Sequence, residues 1–233
     1  EEGIQQCATD LQLSDITLIR QSMNAVYQAT SANGPLIMRV SRPTTSTQPA
    51  IEFADYLRRQ GFEVPAPISQ VPFRHDEIEI TLWEFIEPHS EHIVNWSTIG
   101  SFVRRLHDID PENVAKFYPL PKAASFPWWN FDVLLSELGP TLNSNDCDIL
   151  LERWERLRPF FKAAQDITVE SVGDRPVLCH GDIHPGNVIV NRDTGRPILL
   201  DWDLLSVAPR EWDHAALLTW ATRWGGQAST YAD

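Results

Sequence analysis

The chain has 233 residues, 42% of them hydrophobic and 22% charged, a composition suited to a soluble globular protein with a core of its own. Its formal net charge of -13 opposes binding to nucleic acid or to an anionic membrane, and suits a cationic small molecule. Three widely spaced cysteines, Cys7, Cys147 and Cys179, fit neither a disulfide scaffold nor a Cys-rich zinc site, and are simplest in a reducing cytoplasm.

Residues 15 to 41 alternate with the period of strands. "DITLIRQ", "NAVYQAT" and "PLIMRVS", separated by turn-like "SMN" and "SANG", predict a three-stranded antiparallel meander. A polar loop leads to Pro49, which opens a helix running to Gln60. Ile51, Ala54 and Leu57 share one face of it, and Gly61 is its stop. A proline-punctuated connector precedes a further strand over 77–86.

Beyond Pro88 the pattern becomes helical. Ser97 is the expected cap of a helix over 97–110, with Ile99, Phe102, Val103 and Leu106 as its apolar stripe and Pro111 as its stop. Residues 111–130 read as irregular. Within them begins "FPWWNF", residues 126–131, either core or an aromatic wall for a sugar or a cation. A second helix is expected over 145–166, kinked or broken at Pro159. Three short strands follow at 176–179, 187–191 and 196–200, the last two joined through the turn "RDTG", and a final helix starts near Trp212. No apolar run is as long as a membrane span, and no signal-peptide pattern opens the chain. Because it starts without Met, a trimmed start is expected, and because it stops at Asp233 soon after a helix-like run, a further C-terminal piece is expected.

The chemistry concentrates in residues 179–203, "CHGDIHPGNVIVNRDTGRPILLDWD". Asp182 and Asn187 lie five apart across a turn, and Asp201 follows fourteen later at the end of the next hairpin strand. A hairpin brings Asn187 and Asp201 to one edge, with Asp182 facing them from the loop. Asn and Asp oxygens suit Mg²⁺, which leaves Asp182 free to accept a hydroxyl proton. Any one of these residues alone favours turn or cap chemistry; the three together, in this order and spacing, favour a site. His180 and His184 have zinc-like i, i+4 spacing, but Gly181, Pro185 and Gly186 forbid the helix such a site needs.

"HGDIHPGN" followed by "ILLDWD" resembles the catalytic and metal-binding loops of the aminoglycoside phosphotransferase family, a small-molecule branch of the protein-kinase-like fold. The resemblance implies an α+β, two-lobed fold: a nucleotide-binding lobe over 1–87, made of a small antiparallel sheet and one helix, and a mainly helical catalytic lobe over 88–233 carrying a β-hairpin. It implies transfer of the γ-phosphate of ATP to a hydroxyl of a small, cationic molecule: an aminoglycoside or related antibiotic, an amino sugar or an amino alcohol. Asp182 would orient or deprotonate that hydroxyl. Asn187 and Asp201 would bind Mg²⁺, and His180 would brace the loop. Asp203 is a second ligand or a structural carboxylate, and Asp213 a structural brace. His107 reads as a packed histidine.

Two departures stand out. No lysine lies in the first lobe, so the phosphate-binding cation falls to Arg39 on the third strand, with Glu52 of the following helix as its partner. The turn "RQSMNAVYQ" has no glycine, so Ser22, Met23 and Asn24 would offer backbone N–H groups to phosphate instead. In the connector "LWEFIEP", the Glu84 carbonyl and the Ile86 N–H would read the adenine. The missing glycines and lysine keep open a nucleotide-binding pseudokinase or regulatory module. The aromatic segment keeps open a non-catalytic binding protein for a cation. Oligomeric state is not legible.

Overall fold

A computed structural model describes residues 2–43, 46–89, 93–127, 130–165 and 175–224. Strands β1 (Ser14–Gln21), β2 (Ala25–Ser31), β3 (Gly34–Ser41), β4 (Phe73–His75) and β5 (Ile78–Glu84) form one antiparallel sheet in the order β1-β2-β3-β5-β4. The expected meander is present, and β4 adds an edge strand that its three residues were too few to announce. Alternation divides the faces. Leu36 and Met38 are buried on one side with Ile80, Leu82 and Cys7. Cys7 belongs to helix α1 (Glu2–Asp10), an element not expected from the sequence, whose apolar stripe is short. Arg39 lies between Met38 and Val40, both packed on this cluster, and faces the other side of the sheet.

Helix α2 (Gln48–Arg59) buries Ile51, Phe53, Ala54 and Leu57. It ends at Gly61, whose φ of +76° is the left-handed conformation that glycine adopts without strain. These side chains do not stop at the sheet. Phe53 and Leu57 share a cluster with Leu106, Val114, Leu178 and Leu205, so one core runs across the boundary expected near residue 87. The connector is pinned as well: His89 N–H bonds the Val190 carbonyl at 2.8 Å, Arg192 N–H bonds the Glu87 carbonyl at 2.9 Å, and the Arg192 and Glu87 side chains form an ion pair.

Helix α3 (Trp96–His107) is capped by Asn95, whose side chain accepts the Thr98 N–H, and not by Ser97. Pro111, expected as a stop, instead opens helix α4 (Pro111–Ala115) behind Asp110 as cap, since a proline at the first position gives up no helical hydrogen bond. Helix α5 (Phe131–Leu138) falls just past the stretch read as irregular. Helix α6 (Ser144–Gln165) continues through Pro159, so of the kink or break expected there no break is formed. Pro159 and Glu155, whose carbonyl loses its partner, are both exposed, so water can replace that bond.

Strand β6 (Val177–Cys179) pairs with β9 (Ser206–Ala208), and β7 (Val188–Val190) pairs with β8 (Pro197–Leu199). Helix α7 (Glu211–Trp224) follows. No described helix is long and apolar enough to cross a membrane. Trp128 and Trp129 lie outside the described residues.

Candidate active site

The hairpin β7–β8 is three paired residues long, with Val188 opposite Leu199. One step outward, Leu200 N–H bonds the Asn187 carbonyl at 2.8 Å, which sets Asp201 beside Asn187 at the open end. On the other side, Asn187 Nδ2 donates to the Asp182 carbonyl at 3.0 Å and to Asp182 Oδ2 at 3.1 Å. Asp182, Asn187 and Asp201 are therefore brought together.

The loop from β6 is held from beneath. His180 is fully buried; its Nδ1 accepts the Asp182 N–H at 3.2 Å and its Nε2 donates to the Leu200 carbonyl at 3.0 Å. Those partners fix the tautomer. Burial lowers the pKa of His180, so the ring is neutral. Asp213, also buried, accepts the His180 N–H at 3.1 Å, the Gly181 N–H at 2.7 Å and His107 Nε2 at 2.9 Å. His107 is thus a packed histidine that reaches the loop after β6 through Asp213. Cys179 joins these two in a cluster of metal-type ligands. However, both Asp213 oxygens are already engaged by the loop's N–H groups, and burial foremost pushes the Cys179 thiol up, so the cluster is a brace. Gly181 has a φ of +88°, and a Cβ there would strike the Leu204 carbonyl oxygen. Only glycine lets the loop lie this close to the segment after Asp201.

His184 was missed as a site residue. Its Nδ1 accepts the Gly186 N–H at 3.0 Å, which leaves the proton on Nε2, 3.5 Å from Asp182 Oδ2. This hydrogen bond is the main reason the Asp182 carboxyl is held below its ordinary pKa of 3.8. The signal available in the sequence was its place two residues after Asp182.

Asp201 has a φ of 64°, a left-handed conformation unusual for a residue with a side chain. Burial, then repulsion from Asp203, raises its pKa above 3.8. Both carboxylates face Arg39, which forms a close ion pair with Asp203 and lies 3.7 Å from Asp201. Asn24, from the turn between β1 and β2, donates to Asp203 Oδ2 at 2.7 Å.

The expected partnership of Arg39 with Glu52 is not formed. Glu52 points opposite the buried arc of α2, is exposed, and accepts from Gln48 at 3.2 Å; the acids that meet Arg39 are Asp203 and Asp201. The phosphate-turn expectation is also altered. Ser22 N–H is spent on the Asn24 carbonyl at 2.9 Å, within the turn. Glu84 closes β5, with its N–H on the Ala66 carbonyl and its carboxylate on the Ala66 N–H. Ile86 N–H, just past the strand, has no hydrogen bond among the described residues.

The sequence matches the phosphotransferase enzyme family over residues 15–233. The chain belongs to that family. Solved structures agree in fold. A spectinomycin phosphotransferase, APH(9)-Ia, in complex with ADP and spectinomycin, is 18% identical, with a TM-score of 0.68 over 98% of this chain and 79% of its own. The aminoglycoside phosphotransferase APH(3'')-Id from Streptomyces rimosus, with ADP and streptomycin, is 19% identical, with a TM-score of 0.66 over 98% and 90%. A thermostable mutant of APH(4)-Ia, with ADP and hygromycin B, is 9% identical, with a TM-score of 0.64 over 97% and 78%. No curated protein sequence matches. The phosphotransferase thus has the kinase-like α+β, two-lobed architecture expected from its loops.

Its residues fit a divalent cation. The buried Asn187 Oδ1 has no hydrogen-bond partner among the described residues, although a buried amide oxygen normally has one. Next to it, Asp201 is a half-buried carboxylate facing a second carboxylate. Oxygen donors and crowded negative charge are what Mg²⁺ would satisfy.

Proposed function

We propose that the protein transfers the γ-phosphoryl group of ATP, with Mg²⁺, to a hydroxyl of a small cationic molecule of the aminoglycoside, amino-sugar or amino-alcohol kind. The observation that carries this reading is the meeting of three side chains. Asp182 is ionised and held by Asn187 and His184, and beside it lie the unpartnered Asn187 Oδ1 and the charge-crowded Asp201.

Asn187 and Asp201 would hold the cation, which when bound supplies charge neutralisation for the phosphate oxygens. Asp182 accepts the hydrogen bond of the acceptor hydroxyl, orients its oxygen for in-line attack, and takes the proton late. It needs only to be charged and well placed, and the His184 hydrogen bond keeps it charged. Arg39, poised on Asp203 and Asp201, offers its guanidinium to the phosphates. The Ile86 N–H, which has no hydrogen bond among the described residues, and the Glu84 carbonyl, at the end of β5, suit the adenine edge. The net charge of -13 and relatives crystallised with spectinomycin, streptomycin or hygromycin B favour a cationic, hydroxylated acceptor.

A panel of hydroxylated amines and antibiotics, incubated with enzyme, ATP and Mg²⁺ and read by mass spectrometry, tests the reading. One or more acceptors should gain a single phosphoryl group, and only when ATP is present. Nucleotide binding without any product across the panel would favour a regulatory module; a cationic ligand bound with no response to ATP or Mg²⁺ would favour a simple binding protein.

A further inference from the structure

A kinase with neither a glycine-rich turn nor a lysine must find positive charge for a triphosphate elsewhere. Here the turn offers less than expected: Ser22 N–H is used inside it and the Asn24 side chain is tied to Asp203, which leaves the backbone N–H groups of Met23 and Asn24. One cation, Arg39, remains from the expected set.

The register of β1 supplies another. Leu18 pairs with Tyr27 and Arg20 pairs with Val26, so β1 advances two residues while β2 advances one, and Ile19 is the extra residue of a β-bulge. In an antiparallel sheet, residues directly opposite share a face. Val26 is opposite Arg39, and Arg39 opposite Thr81. Arg20, Val26, Arg39 and Thr81 therefore form one row across four strands, on the face whose Arg39 meets Asp203 and Asp201. Without the bulge, Ile19 would stand opposite Val26 and Arg20 would project from the other face. A bulge that re-aims a side chain is a device often found beside active sites. Two strand spacings put the Cα atoms of Arg20 and Arg39 about 10 Å apart, a gap that two long side chains can close over a polyphosphate. Arg20 is exposed and has no ion pair or side-chain hydrogen bond among the described residues, and its charge is felt at Asp201.

We propose that Arg20 is a second phosphate-binding residue, delivered to the cleft by the Ile19 bulge and working with Arg39 in place of a glycine-rich turn. This rests on the phosphotransfer reading above. The guanidinium fork would engage the non-bridging oxygens of the nucleotide's phosphates, with no part in reading the adenine.

Isothermal titration of ATP, ADP and adenosine, each with Mg²⁺, into wild type, Arg20→Gln and Arg20→Lys tests it. Arg20→Gln should weaken ATP and ADP about tenfold, the lower range for a charge-assisted contact at an exposed site. It should leave adenosine binding unchanged and flatten the salt dependence of ADP binding. Arg20→Lys should recover most of the loss. Because Arg20 is exposed, all three proteins should melt together. Wild-type affinity of Arg20→Gln for ATP and ADP would overturn the role, as would an equal loss for adenosine. If wild type itself binds neither ATP nor ADP, the phosphotransfer reading fails first and takes this inference with it.

Discussion

Asp182 is placed by three contacts: its N–H on His180, its carboxylate on Asn187 Nδ2, and His184 Nε2 beside Oδ2. Asp182→Asn keeps the shape and the loop contacts but cannot accept a proton. It should fold with an unchanged melting temperature and lose roughly 100- to 10,000-fold in kcat; near-normal turnover would remove Asp182 from the mechanism. His184 acts through Asp182. Its Nδ1 accepts the Gly186 N–H, which turns Nε2 toward Asp182 Oδ2. His184→Ala should lower kcat with little change in nucleotide affinity, whereas His184→Gln, which can place an N–H near the same spot, should recover much of the loss. Steady-state kinetics of the two variants separate this from a folding defect, which would lower both alike.

Among the elements, α2 shows how much of the architecture depends on partners distant in sequence. Its cap, Thr47, makes no side-chain hydrogen bond to its own helix. The helix start is held instead by Glu79 of β5, which accepts from Thr47 N–H at 2.6 Å, from Thr47 Oγ1 at 2.7 Å and from Arg74 Nε at 2.8 Å. Burial pushes the Glu79 carboxyl up, but these bonds outweigh it and hold the pKa below 4.5. A lowered folded-state pKa contributes stability above the unfolded value, and that stability is lost as pH falls through the folded one. Glu79→Gln should therefore cost about 1–3 kcal/mol at pH 7, and the gap between the two melting curves should close as pH is taken well below 4.5. A gap that stays constant with pH would contradict the charge-based account.

Elements whose information is local were legible. The hairpin carrying Asn187 and Asp201 closes within one turn, so the spacing of its polar residues predicted their meeting. The turns between the first three strands mark out the meander, β3 alternates with Leu36 and Met38 buried, and Pro49 and Gly61 bracket α2. Elements defined by pairing were not. β9 is three residues with no period, recognisable only once β6 lies beside it. The Ile19 bulge exists only relative to β2, so Arg20 could not be assigned a face from the alternation of β1 alone. Glu52 failed as the partner of Arg39 because one step along a helix turns a side chain by roughly 100°, which carries it away from the cleft.

At the scale of the molecule, the two lobes share a core rather than a loose hinge. Trp202, between Asp201 and Asp203, lies with ring centroids 4.5 Å from His180 and 5.4 Å from Phe53 of α2. Leu57, fully buried in the same cluster, joins α2 to Leu106 and Leu178. Leu57→Ala should cost about 2–5 kcal/mol and lower the single melting transition of the whole protein. Two separate transitions would mean that the lobes fold independently.

Side chains from the loop after β6 and from the hairpin end are expected to gather round one divalent ion at the cleft. Mn²⁺ binding in the presence of ADP, followed by electron paramagnetic resonance, reads this directly. Wild type should bind one Mn²⁺ that is held tightly only with nucleotide, and both Asn187→Ala and Asp201→Asn should abolish or severely weaken that binding. Wild-type Mn²⁺ affinity in both variants would contradict the account.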